Sequence, residues 1–90
     1  MKMRIVQERD DFIELLIQEE DASIIDSLSE YINRIDGVEY AGYRIEHPLT
    51  GDITLTVKTR GKPTARRAVL DALKNLRDFV ASIQEEVQKL

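Results

Sequence analysis

The chain has 90 residues, 42% of them hydrophobic and 33% charged, which is enough for one domain over residues 1–90 with one modest core. Its net charge of −4 argues against nucleic acid as the main partner, because phosphate binding needs a basic surface, and its lack of cysteine excludes disulfides and thiolate metal sites. Because no apolar run approaches the roughly 18 residues of a membrane span, and no apolar signal-peptide block follows the N-terminus, we expect a cytoplasmic protein.

The first two predicted elements are strands that form a hairpin. Residues 3–9 alternate loosely, and the segment DFIELLIQE places Ile13, Leu15 and Ile17 on one face of an extended chain. Two turn-prone aspartates at positions 10 and 11 separate these segments. A connection this short joins antiparallel neighbours, so we expect a β-hairpin.

The segment EEDASIIDSLSEYINRIDG changes to a helical period. Its apolar residues recur three and four positions apart, which predicts a helix from about residue 23 to 35. Ser23, followed three positions later by Asp26, resembles a capping box. Gly37 provides the stop, because glycine adopts positive φ freely at a helix end.

Two further strands complete a predicted set of four. VEYAGYRIEH is rich in aromatic and branched residues, and Gly42 in its middle indicates a bulge or a close approach by a neighbouring element. Pro48 restricts His47 to extended backbone and ends this strand. After the turn LTGD, the segment ITLTVKT alternates cleanly between branched apolar and polar residues, as a strand with one buried face does.

The last predicted element is a long helix. Nothing from Thr64 to Leu90 breaks a helix, and Pro63 lies just before its first turn, where proline is tolerated. A heptad pattern runs along it, with apolar residues alternately four and three positions apart: Val69, Leu73, Leu76, Val80, Ile83, Val87 and Leu90.

A helix of this length exceeds what a small domain can cover. It would run roughly 40 Å, whereas a domain of 90 residues is roughly 30 Å across. Its second half would expose a contiguous apolar face, made of Phe79, Val80, Ile83, Val87 and Leu90. We infer a partner protein docked on this helix and on one side of the first helix. The alternative is that the helix bends over its own core or frays after about Ser82.

His47, the only histidine, is the one candidate for catalysis. Glu46 points to the opposite face of the strand and cannot orient the imidazole. Asp52 lies across the turn, yet no serine or cysteine nucleophile has an obvious place beside the two. We interpret His47 and Pro48 as structural turn residues and expect no catalytic residue, no metal and no cofactor. The alternative is a small hydrolase that uses His47 and Asp52.

The stretch KTRGKPTARR is basic and contains no acid; its charged residues are Lys58, Arg60, Lys62, Arg66 and Arg67. The last two fall in the first turn of the long helix, where the helix dipole disfavours positive charge. A solvated face, a contact with an acidic protein surface and a contact with nucleic acid all stay open. The corresponding alternative function is a stand-alone homodimeric module that binds nucleic acid or protein through residues 58–67.

The block EDASIIDSLSEYINRIDGVEYAGYRIEHPLTGDITLTVKT resembles the family of subunit L of archaeal DNA-directed RNA polymerase, the counterpart of the eleventh subunit of the eukaryotic enzyme. The matching features, in chain order, are Glu20-Asp21, the helix opened by Ser23, Val38-Glu39-Tyr40-Ala41-Gly42-Tyr43, His47-Pro48-Leu49, Lys58-Thr59 and Pro63. The likeness covers essentially the whole chain. It departs at Ala22, where the family usually has a histidine.

The resemblance implies an α+β fold like the dimerisation domain of the bacterial polymerase α subunit. That fold is a four-stranded, mainly antiparallel sheet packed by two helices, of which the second is long and C-terminal. The resemblance also implies a heterodimer with the polymerase's D subunit, and this pair forms the assembly platform for the large catalytic subunits in transcription. No catalytic residue is carried over, because nucleotide addition belongs to the large subunits. No direct DNA binding is expected.

We predict that the interface with the D subunit lies on the apolar side of the first helix and the outer half of the last one. Its residues are Ile25, Leu28, Ile32, Leu76, Phe79, Val80, Ile83 and Val87. An uncovered apolar helix face tends to pair with its own copy, so a homodimer of the isolated chain also stays open.

Overall fold

The computed structural model describes residues 1–90 and contains four strands and two helices. In chain order they are β1 (Lys2–Arg9), β2 (Phe12–Gln18), α1 (Ala22–Asn33), β3 (Val38–His47), β4 (Asp52–Thr59) and α2 (Ala65–Gln88). All strand pairs are antiparallel, and the sheet order β1-β2-β4-β3 makes β1 and β3 the edges. The α+β fold predicted from the sequence is therefore confirmed.

One face of the two central strands forms the floor of the core. The apolar residues of β2 stand opposite those of β4 in the pairs Ile13–Val57, Leu15–Leu55 and Ile17–Ile53, and all six are buried. This is the face that the alternation of both segments predicts. The helices close the core from above, α1 with three large aliphatic side chains and α2 mainly with alanines.

Only the first part of α2 packs on the core, and this leaves the later turns of the helix exposed. All its buried residues, Ala65, Ala68, Val69 and Ala72, lie in its first eight positions. Small side chains let this first part of the helix lie close to the sheet. The helix then continues to Gln88, so its remaining turns extend beyond the core.

The ends of α1 differ from the prediction. Asp21 caps this helix, because its Oδ1 accepts a hydrogen bond from the backbone N–H of Ser23 at 2.8 Å, so the predicted capping box at Ser23 is wrong. The helix ends at Asn33, whose amide side chain bonds both the N–H and the C=O of Ala41 on the edge strand β3, at 3.0 and 2.8 Å. Gly37 has a φ of +94° but lies in the turn that follows.

Gly42 does not mark a bulge. The register shifts of β3 lie on either side of it, between Val38 and Tyr40 and between Ile45 and His47. A side chain at Gly42 would instead collide with the ring of Tyr40, which lies over the glycine on the same strand. A close approach is what the glycine permits, although the approaching group comes from its own strand rather than from a neighbouring element.

Candidate protein-interaction surface

The outer half of α2 and the C-terminal residue after it carry apolar side chains that the rest of the chain leaves about half exposed or more. We call this set, Phe79, Val80, Ile83, Val87 and Leu90, the distal ridge. Val80, Ile83 and Val87 are 56%, 48% and 60% exposed. Because α2 is continuous to Gln88, the alternative that it frays after about Ser82 is wrong, and these exposures exclude the other alternative, a helix that closes over its own core.

Phe79 marks the inner end of the distal ridge. Its ring centroid lies 6.4 Å from that of Tyr31 on α1, in a tilted arrangement, yet its side chain is still half exposed. One turn earlier, Leu76 is half-buried. The heptad pattern thus begins to leave the core at Leu73, which is 42% exposed, and lies at the surface from Val80 onward.

A second apolar feature lies between β1, α1 and the first half of α2. It is a groove of about 680 Å³, which we call the apolar groove. Its upper walls are formed by partly exposed side chains from all three elements: Met3, Ile5, Ile24, Leu70, Leu73 and Leu76. It exists because β1 is hydrogen-bonded to β2 but exposed along its whole length. The apolar side of β1 therefore faces open space beside the helices.

The three α1 residues predicted for the interface have different places. Ile32 is fully buried in the core of the chain and contributes no accessible surface. Ile25 and Leu28 are also buried but lie at the bottom of the apolar groove. This side of α1 packs on the chain's own sheet, so the three predicted residues offer a partner little accessible surface in the free chain. A neighbour, Ile24, is the α1 residue that is accessible in the groove, at 51% exposed.

Two charged residues line the apolar groove, Arg4 and Arg66. The guanidinium of Arg66 donates to both carboxylate oxygens of Glu8, at 2.6 and 2.7 Å. This hydrogen-bonded pair lowers the pKa of Glu8 and raises the pKa of Arg66. Arg4 has no ion pair, and no carboxylate lines the groove. The groove is thus apolar with one uncompensated positive charge.

The basic stretch is partly neutralised within the chain. Besides the pair of Arg66 with Glu8, Arg67 lies 3.8 Å from Asp71 one turn further along α2. Lys58, Arg60 and Lys62 are exposed and form no ion pair. Only three of the five cations are therefore free for an external acid or phosphate, which is a small basic footprint for a nucleic-acid interface.

His47 and Asp52 do not assemble as a catalytic pair. Nδ1 of His47 accepts a hydrogen bond from the backbone N–H of Leu49 at 3.3 Å, which is the geometry of a turn residue. The carboxylate of Asp52 accepts from the side-chain amide of Gln18, at 3.3 and 3.4 Å. No hydrogen bond joins the imidazole to the carboxylate, so the arrangement of the alternative hydrolase is absent.

Four residues of the groove could not be recognised as interface residues from the sequence, for identifiable reasons. Leu70 lies outside the heptad pattern that defined the α2 face. Ile24 looked like part of the same core-facing stripe as Ile25, although adjacent residues on a helix point about 100° apart. Met3 and Ile5 lie on a strand whose partner helix could not be placed from the sequence. What could have identified all four is that each is an apolar residue outside the set that one buried face of its helix or strand accounts for.

Neither helix has an apolar stretch long enough to cross a membrane.

Comparisons with known proteins agree on one family. The family model of the RNA polymerase Rpb3/Rpb11 dimerisation domain matches residues 13–86. A protein named DNA-directed RNA polymerase subunit Rpo11 from Saccharolobus solfataricus is 31% identical over 90 residues, which is 100% of this chain and 98% of that relative. The protein of the same name from Sulfolobus acidocaldarius is 29% identical over 90 residues and 100% of both chains.

The fold has also been seen in a solved structure. The crystal structure of DNA-directed RNA polymerase subunit L from Thermoplasma acidophilum matches with a TM-score of 0.86 at 22% identity, covering 98% of this chain and 86% of the other. At this identity the likeness concerns the fold.

Proposed function

The chain belongs to the family of the RNA polymerase Rpb3/Rpb11 dimerisation domain, and from this premise we propose that it is a non-catalytic subunit of an archaeal DNA-directed RNA polymerase. Its partner in this proposal is the D subunit of the same enzyme. The heterodimer serves as the assembly platform for the large catalytic subunits, residues 1–90 act as one dimerisation domain, and the protein works in the cytoplasm.

The observation that supports this proposal best is the distal ridge. Burying a Val, Ile, Leu or Phe side chain contributes roughly 1.5–3 kcal/mol. The isolated chain leaves five such side chains about half exposed or more, four of them on the outer half of α2 and the fifth, Leu90, just after it. An apolar patch of this kind marks a protein-protein interface. A dimerisation function explains the ridge, because a partner would bury the apolar side chains that the chain itself leaves exposed.

The apolar groove extends the proposed interface. Leu73 and Leu76 line the groove and belong to the same heptad pattern as the distal ridge, so the two features meet on one helix. We assign to the contact with the D subunit the ridge residues Phe79, Val80, Ile83 and Val87 together with Leu76. From α1, Ile25 and Leu28 would be reached only at the bottom of the groove, and Ile32 is left out.

Light scattering on the pure chain, alone and mixed with the D subunit from the same source, tests the proposal. We expect a 1:1 complex to replace whatever the chain forms alone. A mass that is unchanged by an equal or excess amount of the D subunit would refute the heterodimer, and the assembly function with it.

A further inference from the structure

One side of the sheet is covered by neither helix. Both helices pack on the side of the buried pairs between β2 and β4. Because side chains alternate across a strand, the residues that flank the buried ones point to the opposite side. We call this opposite side the open side of the sheet. A partner that binds α2 leaves it accessible.

Four residues form a single row across the open side, one from each strand. Arg9 of β1 is the register partner of Phe12 on β2, and Phe12 is in turn the partner of Lys58 on β4. Lys58 has Tyr40 of β3 as its partner on the other side. Neighbouring strands lie about 4.8 Å apart, so the two aromatic residues are separated by about 10 Å. Each ring is therefore far enough from the other to take a base of its own.

Both aromatic rings of this row are held against the sheet. The ring of Tyr40 lies over Gly42 of the same strand, and the residue is still 55% exposed. The guanidinium of Arg9 lies over the ring of Phe12, at 4.8 Å from its centroid. Nucleobases stack on exposed aromatic rings and on guanidinium planes alike. The row thus offers two stacking places, Tyr40 and the Arg9–Phe12 pair.

The three free cations of the basic stretch lie at the same end of the sheet. Lys58 belongs to the row, and Arg60 and Lys62 follow it just after β4 ends. None of these three forms an ion pair, whereas Arg9 is already paired with Asp11. Three cations bind phosphates only weakly by charge alone, so stacking on the row has to supply part of the affinity.

The polar residues next to the row suit a ribose. Glu14 and Thr56 are register partners on the open side, two positions along their strands from the row. Glu14 forms no ion pair, so its carboxylate is free to accept from a hydroxyl, and the Thr56 hydroxyl donates and accepts. A 2′-hydroxyl has the matching donor and acceptor. The other acids of the open side, Glu46 and Asp52, lie at its far end, where a neighbouring side chain bonds each of them.

We propose that the open side of the sheet binds single-stranded RNA. One base stacks on Tyr40 and another on the Arg9–Phe12 pair, while the phosphates lie toward the free cations and a ribose lies toward Glu14. Single strands are required, because the bases of a duplex are already stacked on each other and are not free to reach the rings. The site does not depend on the proposed heterodimer, since the D subunit is assigned to the helix side.

Fluorescence anisotropy of the full chain with a labelled uridine oligomer of about eight nucleotides measures the binding. We expect a Kd below about 100 μM at low salt. The logarithm of the affinity should fall against the logarithm of the salt concentration with a slope of about −2, because each phosphate neutralised on a single strand contributes about −0.7. A deoxythymidine oligomer of equal length should bind several-fold more weakly, and an RNA duplex should not compete.

Two pairs of variants separate stacking from charge. Tyr40→Ala should weaken binding at least about fivefold, whereas Tyr40→Phe keeps the ring and should bind like the unmodified chain. Lys58→Gln should reduce the steepness of the salt dependence by about 0.7. Lys74→Gln is its matched control, since Lys74 is exposed on α2 at the opposite side of the sheet, and it should change nothing. Circular dichroism confirms that each variant is folded.

Other results overturn the proposal. If the uridine oligomer does not bind below about 100 μM, or if Tyr40→Ala binds it as tightly as Tyr40→Phe does, the row is not a stacking site. Equal binding of the deoxythymidine oligomer would remove the assignment to RNA. If a glutamate homopolymer binds more tightly than the RNA and ignores Tyr40→Ala, the surface takes acidic polypeptides instead. None of these results involves the D subunit, so failure here leaves the proposed function standing, and failure of the heterodimer leaves the RNA site standing.

Discussion

Ile83→Asp is the substitution that tests the proposed heterodimer interface most directly. Ile83 is 48% exposed, so a partner that covers it would bury about half of an isoleucine side chain, worth about 1 kcal/mol. The aspartate also places a carboxylate in an apolar contact, which costs about 2 kcal/mol or more when no cation faces it. The sum of about 3 kcal/mol predicts that affinity for the D subunit falls at least about 100-fold.

The free chain should be nearly indifferent to the same change. Ile83 lies beyond the part of α2 that is anchored in the core, and substitutions at exposed helix positions usually change stability by about 0.5 kcal/mol or less. Isothermal titration with the D subunit measures the affinity, and thermal unfolding of the free chain measures the stability. Ala81→Asp, with the same new charge on the opposite side of the helix, should bind the partner normally.

Two results would refute this reasoning. If Ile83→Asp binds the D subunit as tightly as the unmodified chain, the ridge is not the interface. If both aspartate variants weaken binding equally, the loss comes from negative charge on the helix and not from the apolar contact.

Four further predictions concern the fold and the turn around His47. Ile32→Ala should lower the free energy of unfolding by about 2–5 kcal/mol in urea titrations, because Ile32 is fully buried in the core. Thr64→Ala should lower it by about 1 kcal/mol, and Thr64→Ser by much less, since the Thr64 hydroxyl accepts from the backbone N–H of Arg67 at 3.1 Å. The hydrogen bond from the Ser23 N–H lowers the pKa of Asp21, so its carboxylate stabilises the fold fully above about pH 4 and loses this effect as the pH falls further; Asp21→Asn keeps an acceptor and should flatten the dependence of the melting temperature on pH there. His47→Ala should leave the binding of the D subunit unchanged in the same isothermal titration, since the imidazole bonds only within its own turn.

The order and type of the elements followed from the sequence because each segment has one clear period. The alternation in β2 and β4 and the heptad pattern in α2 come from residues that must face one core, and tertiary contacts reinforce that local pattern. The predicted resemblance to RNA polymerase subunit L was also confirmed, and it rests on the same segments in the same order. The helix ends were harder to predict from the sequence, because Asp21 and Ser23 are both good capping residues and only the backbone geometry decides between them.

The interaction surface was predictable only in part. The outer half of α2 could be recognised because a helix longer than its domain must expose its end, whatever the details of packing. The groove could not be predicted, because it depends on the helices leaving the edge strand β1 uncovered, and the period of a strand does not show what packs on its face. The burial of Ile32 in the chain's own core could not be predicted for a related reason. Periodicity shows which residues share a face but not whether that face meets the chain's own sheet or a partner.

Apolar side chains left in water do not stabilise a small domain, so the exposed apolar residues of α2 affect association more than folding. The core uses only the first part of α2, and the rest of the helix adds apolar surface that makes the free chain prone to association. If that surface served the stability of the free chain, it would be folded over the core, and alanine or lysine at the ridge positions would weaken the fold. Because the ridge beyond Phe79 instead lies past every covering element, its apolar residues stabilise the protein only after a second chain has bound. Folding and assembly are thus assigned to different parts of the molecule, which is why Ile32→Ala should weaken the fold of the free chain, whereas Ile83→Asp should weaken only its association.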